Sequence, residues 1–337
     1  MVSPAAGARR LPPCAAWFAA LAFGAAAHAQ TLPPVPVPPQ NPITEPKRIL
    51  GKILFWEEQL SHDNSVACGT CHQPARGGGA DPRFARHPGL DNLFQTPDDV
   101  FGSAGVVHRD LNGQPIPDPL FGLNPQVTRR AAQPFLTAQF APSTFWDGRA
   151  TPAFTDPETG QLLIPVGGAL ESQAIQPILN STEMAHDGRT WAEVENKLTA
   201  ATPLALASNL PSDMAAALAG NPSYGQLFTA AFGDPAITAS RIAMAIATYE
   251  RTLLANHTPW DEFVTGNPSA LTPSQQQGLN FFNGSACRVC HTPPFFTNHS
   301  FRNIGLRPIA EDIGRQGVTG QPQDAGRFKV PSLRNAG

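Results

Sequence analysis

Two short strings, Cys68-Gly-Thr-Cys71-His72 and Cys287-Arg-Val-Cys290-His291, constrain this chain more than any other feature. In each, two thiols separated by two residues are followed at once by an imidazole. That spacing is the attachment signature of a c-type haem. The thiols add across the two vinyl groups of one porphyrin, and the adjacent histidine gives a ring nitrogen to the iron. Two such strings predict two covalently bound haem c groups, with His72 and His291 as proximal iron ligands. A single four-cysteine zinc site built from both pairs is the competing reading, but it leaves both histidines without a role. A disulfide scaffold is disfavoured, because 337 residues can bury a core without staples.

The chain has five cysteines, four of them in the two strings and the fifth, Cys14, near the amino terminus. That terminus has the parts of a secretory signal. Arg9 and Arg10 form a positive patch, residues 15–27 an apolar run, and Ala27-His28-Ala29 a small-residue cleavage site. A signal peptide over 1–29, cleaved near Ala29, is expected, and with it a periplasmic protein. Haem is joined to such motifs outside the cytoplasm, and the predicted mature chain has no cysteine to spare for disulfides. No apolar run is long enough to cross a bilayer, so no membrane span is expected. The formal net charge is −3 and no Lys/Arg cluster occurs, which argues against a nucleic-acid partner.

Where regular structure can be read it is helical. Residues 46–59 put Ile49, Leu50, Ile53 and Leu54 on one face. Asp234-Pro235 has the form of an N-cap and first helical residue, opening a helix to about 254 with Ile242, Ile246, Tyr249 and Leu253 on one stripe. Thr272-Pro273-Ser274-Gln275 reads as a capping box for a helix to 282, which leads into the second haem string. Residues 30–42 are proline-rich and read as an extended leader. From Gly77-Gly78-Gly79 to Trp146 the chain is rich in Pro, Asp, Asn and Gly, a stretch that either wraps a cofactor or is a disordered surface insertion. No period-two alternation stands out. The expected fold class is mainly α, two cytochrome c-like haem domains with long loops.

In chain order the first haem string is followed by Phe145-Trp146-Asp147-Gly148-Arg149-Ala150, Gln173-Ala174, Glu183-Met184 and Tyr249-Glu250-x-Thr252-Leu253. The second haem string and Gly326-Arg327-Phe328-Lys329-Val330-Pro331-Ser332-Leu333-Arg334-Asn335 complete the series. The series resembles the bacterial di-haem cytochrome c peroxidases, whose superfamily includes the di-haem enzyme that matures methylamine dehydrogenase. The resemblance runs from about residue 50 to the end, with insertions after the first haem string and after Trp146.

The resemblance implies a peroxidatic haem domain over 43–255, an electron-transfer haem domain over 256–337, and an active site between them. It implies that His72 serves the peroxide-reacting haem and His291 the haem that takes electrons from a small donor protein of the cytochrome c or cupredoxin type. Glu183 then matches the acid-base glutamate that would move a proton on hydrogen peroxide, and Gln173 the amide that positions peroxide or water. Trp146 matches a tryptophan between the haems, either an electron relay or ordinary core packing.

His87 stands at nearly the family's distance for a second, displaceable ligand of the first haem, although Arg86-His87-Pro88 lacks the usual glycine flanks; His108 lies further on. Calcium is left open, since Arg129-Arg130-Ala131-Ala132-Gln133-Pro134 replaces the family's asparagine string. The family continues beyond Asn335-Ala336-Gly337 and there supplies a methionine for the second haem, so the chain resembles a C-terminally truncated member; His299 is a candidate substitute ligand. Homodimers are common in the family. Two alternatives to the peroxidase stay open: a di-haem oxidase that modifies a partner protein, and a di-haem electron carrier without catalysis.

Overall fold

The computed structural model describes residues 31–80, 86–306 and 308–335. The expected signal peptide, its cleavage site and Cys14 lie outside the described residues. The chain is helix-rich with little sheet. The helices are α1 Glu45–Phe55, α2 Cys68–Cys71, α3 Ala169–Ala174, α4 Trp191–Ala200, α5 Ser212–Ala217, α6 Tyr224–Phe232, α7 Ala239–Glu250, α8 Pro259–Val264, α9 Pro273–Gly284, α10 Cys287–Cys290 and α11 Gln316–Thr319.

The core is built where α1 crosses α7. Proline in the first turn and Glu45 beside it favour the start of α1, and its buried face carries Leu50, Ile53, Leu54 and Phe55. On α7 the facing residues are Ile242, Ala243, Ala245 and Ile246, all buried. The backbones touch at Gly51: a Cβ there would lie 1.8 Å from the Ala245 carbonyl oxygen, so only glycine permits this approach. Helix α6 closes the other side with Tyr224 and Phe228. The Tyr224 hydroxyl donates to Glu57 Oε2 at 2.5 Å, and the same oxygen accepts the Leu204 amide.

A buried ion pair ties the amino-terminal segment into this core. Arg251 and Glu171 meet at 2.7 Å with side chains 1% and 0% exposed. Asn41 donates to the same carboxylate and accepts from Lys47 Nζ. Residues 31–37 have no regular structure, but Asn41 is fully buried and belongs to the core.

Two sequence expectations shift. Helix α7 begins after Thr238, whose hydroxyl accepts the Arg241 amide, and not at Asp234. Asp234 instead forms a bidentate pair with Arg241 and accepts the Ala236 amide. Helix α7 also ends at Glu250, where Leu253 N–H turns back to the Glu250 carbonyl. The capping box at Thr272 and Gln275 forms as read, and α9 continues to Gly284.

The 86–130 stretch is built on two antiparallel pairs: β1 Arg86–His87 with β2 Val100–Phe101, and β3 Ala104–Val107 with β4 Pro125–Val127. Strand β5 Phe154–Thr155 pairs with β6 Leu162–Ile164, and β7 Phe301–Arg302 with β8 Phe328–Lys329. Arg251→Met is expected to cost about 3–5 kcal/mol of stability, because it strands the Glu171 charge without its partner. Chemical denaturation of the variant beside Glu171→Gln/Arg251→Met measures it, and the double variant should recover part of the loss.

Candidate functional site: a cavity around the first haem string

Helix α2 is one turn long, closed by the His72 amide on the Cys68 carbonyl at 2.9 Å, so Cys68, Cys71 and His72 cluster on a short arc. Both thiols are free, and Cys71 Sγ lies 3.1 Å from the Ala104 carbonyl on β3. His72 Nδ1 is 3.2 Å from the Gly78 carbonyl oxygen. A carbonyl only accepts, so Nδ1 carries the proton and Nε2 keeps its lone pair for a metal. Gly78 can present that carbonyl because its φ of +88° is open to glycine, and a Cβ there would press on Phe135. The second string repeats the device. Helix α10 closes through His291 N–H on the Cys287 carbonyl, and His291 Nδ1 is 3.0 Å from the Phe296 carbonyl, where φ is +52°.

Beside Cys68, Cys71 and His72 opens a cavity of about 780 Å³, within the usual size of a cofactor site of about 300–1,000 Å³. Phe55 and Ile246 bring the α1–α7 core to its wall. The site residues named from sequence converge here: Trp146, Gln173 and Glu183 all line the same space. Gln173 comes from α3, and Glu183 from the loop that follows. In that loop Asn180 gathers the amides of Thr182, Glu183, Met184 and Ala185 on its side-chain and main-chain oxygens. The long insertion braces the same loop, Val106 N–H and Gln126 Nε2 donating to the Thr182 and Ser181 carbonyls. Burial raises the Glu183 carboxyl above its ordinary value, against a weaker opposing pull from Arg149.

Trp146 links the two halves of the chain. Its indole N–H donates to the Ala131 carbonyl at 2.8 Å, and its own carbonyl accepts the Lys329 amide at 2.7 Å. Around it Arg130 bridges Asp147 and Asp312, and the Arg149 guanidinium sits 3.5 Å above the Phe145 ring. These contacts bring the carboxy-terminal string to the cavity, which His299 and Lys329 also line.

His87 is not brought to this cavity: it packs edge-on against Phe121, 4.9 Å away, and Phe121 forms the wall. His108 turns outward to Asp187. His299 reaches the cavity, with both ring nitrogens buried and without a partner among the described residues. Sequence reading assigned no role to Glu250 and Lys329. Glu250 Oε2 is buried and unpartnered, and burial pushes its carboxyl up to about 8. Burial likewise brings the Lys329 ammonium down to about 8. Their only sequence signal was membership in two of the strings that carry the resemblance.

A model of the di-haem cytochrome c peroxidase family matches residues 45–269. The chain belongs to that family. Among curated relatives of this di-haem family member, methylamine utilization protein MauG of Methylophilus methylotrophus is 30% identical, over 89% of this chain and 68% of its own length. Cytochrome c551 peroxidase of Nitrosomonas europaea is 28% identical, over 85% and 64%. This chain thus spans about two thirds of the length of such relatives. A crystal structure of a MauG-like protein associated with microbial copper homeostasis superposes with a TM-score of 0.58 at 22% identity, covering 95% of this chain and 76% of that one, a likeness of fold.

The residues present fit the family's two haems. Neither thiol pair is joined in a disulfide, each imidazole is oriented by an Nδ1 contact to a carbonyl, and the first string faces a largely apolar cavity in which Glu250 Oε2 and both His299 nitrogens lack partners among the described residues. The second string stands over an aromatic cluster in which Phe296 packs on Trp260 and Phe282.

The raised Glu250 carboxyl has a pH consequence. Its folded pKa exceeds the unfolded one, so the folded form gains from the proton below the ordinary carboxylate range and loses that gain as pH rises toward 8. Glu250→Gln should therefore flatten the fall of stability between pH 5 and about 8, as read by thermal unfolding across that range.

Proposed function

We propose that this chain is a di-haem c-type peroxidase that reduces hydrogen peroxide to water with electrons from a small donor protein, in the periplasm. The observation that carries the reading is the convergence of Cys68, Cys71, His72, Glu183, Gln173 and Trp146 on one cavity. Cys68, Cys71 and His72 would hold the first haem and Cys287, Cys290 and His291 the second, in two cytochrome c-like domains meeting near residue 255. When bound, the haems supply the redox chemistry and store the electrons that the reaction consumes.

The protein's own part is proton handling, positioning and exclusion of water. Glu183, as carboxylate, takes the proton from the near oxygen of hydrogen peroxide and returns it to the departing oxygen, so the same side chain acts as base and then as acid. Burial that raises its carboxyl brings it nearer the working pH, where both transfers are easy. The Gln173 amide, fixed on α3, orients the peroxide or the water produced. Trp146 fills the space between the two halves and, through its bonded backbone, offers a route between them.

The 30% identity to a protein named for methylamine utilization favours one second reading, an oxidase acting on a partner protein at the same cavity. Haem-loaded protein mixed with hydrogen peroxide and a reduced small cytochrome c separates the two. The peroxidase predicts rapid donor oxidation, reduced about 10²–10⁴-fold in Glu183→Gln, with heme attachment unchanged. It also predicts an acidic limb in the turnover profile, activity falling as pH drops through the raised Glu183 pKa, because only the carboxylate accepts the first proton. A slow, long-lived oxidised spectrum without donor turnover would favour the second reading, and an unchanged spectrum would defeat both.

A further inference from the structure

On the far side of the Glu183 loop lies a second, polar cleft of about 700 Å³. Three cations line it, Arg109, Arg189 and Lys197, together with His62 and His186. None of the three cations has a carboxylate within ion-pair distance among the described residues. Arg189, 6% exposed, spends one nitrogen, Nη1, on the carbonyls of Leu60, Ile178 and Met184. Lys197 Nζ donates to the Ser61 and His62 carbonyls. Arg109 gives Nη1 to the Gly113 carbonyl, while its Nε is buried without a partner.

Asp63 and Glu193 also line the cleft, and their oxygens are already hydrogen-bonded. Glu193 caps α4, its Oε2 taking the Thr190 amide and hydroxyl and its Oε1 meeting His186 at 3.3 Å. Asp63 takes the Ser65 amide and hydroxyl. Asp187 is turned to His108. What is left over faces inward: Arg109 Nε, and His62 Nε2 on a side chain only 8% exposed, 3.7 Å from the nearest Asp63 oxygen. Three cations thus share the cleft with two carboxylates, Asp63 and Glu193, neither within ion-pair distance of them, so the cleft keeps a net positive charge.

We propose that this cleft is a binding site for a small tetrahedral oxyanion of the phosphate or sulfate type, held by Arg109, Arg189 and Lys197 with His62 as a further donor. Burial brings Arg189 down to about 10, Lys197 to about 8 and His62 to about 4, in each case against a weaker opposing pull from nearby carboxylates, Asp63 among them. The cleft is coupled to the haem cavity by one carbonyl. Met184, next to Glu183, accepts from the His62 amide at 2.8 Å and from Arg189 Nη1 at 3.2 Å. An anion that draws Arg189 toward the cleft acts on the loop that carries Glu183, so the site is placed to modulate the chemistry without touching it.

The test is titration of the full, haem-loaded protein with inorganic phosphate, and separately with sulfate and acetate, against chloride at matched ionic strength. Calorimetry should find one saturable site for phosphate or sulfate, with a rise of several degrees in unfolding temperature at high occupancy. Arg109→Gln and Lys197→Gln should each weaken it about tenfold or more while leaving the haem absorption spectrum unchanged. Arg109 lies outside the carbonyl clamp on the Glu183 loop, so its variant keeps the test open if Lys197→Gln folds poorly. Acetate binding as tightly as phosphate would overturn the tetrahedral class. The site itself is overturned by the absence of saturable binding, by affinity in both variants unchanged from that of the unaltered protein, or by an equal rise in chloride. None of these readouts depends on peroxide turnover.

Discussion

The close crossing of α1 and α7 at Gly51 is the contact on which the rest of the molecule depends. Because the two backbones meet there, Phe55 at the end of α1 is fixed against Tyr249 and Phe135 and lies 6.4 Å, ring to ring, from His72. Ile246 and Glu250, on α7, then reach the same cavity. The wall that faces the first pair of thiols is thus the outer surface of the hydrophobic core. Its rigidity is inherited from side chains buried at about 1% exposure or less, and close-packed interiors yield little.

The opposite wall is made differently. The loop carrying Glu183 anchors Met184 and Ala185 in the core and is held besides by hydrogen bonds from several directions: Asn180 within, β3 and Gln126 from the insertion, His62 and Arg189 from behind. One face of the cavity is therefore set by packing alone and the other by packing together with a polar network. A polar network has discrete alternatives, so this face is where a ligand can act at a distance. Trp146 closes the third side, and its main-chain bond to Lys329 makes the cavity a joint product of the two halves of the chain.

Much of this was legible in the sequence. The haem strings announce themselves because the chemistry demands adjacent residues, and α1 and α9 follow from apolar period and capping chemistry. Glu183, Gln173 and Trp146 were found through the resemblance, since nothing local in Ser181-Thr182-Glu183 separates a cavity acid from a helix cap. The short hairpins were not legible. Strands of two to four residues, such as β1 and β3, are too short to show alternation, and their pairing is fixed by turns and by side chains such as Asp98, which collects the Leu90 and Asp91 amides. The start of α7 was misread because Asp234-Pro235 is a sound cap signal, overridden by Thr238 and by the stronger pull of Arg241 on Asp234. The basic cleft escaped notice because its residues are scattered over residues 62–197 and come together only in the fold.

The central claim is that peroxide chemistry belongs to the haem at the first string and not to the one at the second. The most direct test is magnetic-resonance and optical spectroscopy of the haem-loaded protein, with His72→Gly and His291→Gly each used to assign one haem signal. Peroxide is then predicted to perturb only the signal that His72→Gly alters, and to leave the ligation of the other iron intact. Perturbation of the signal assigned to His291, with the His72 signal unmoved, would contradict the account.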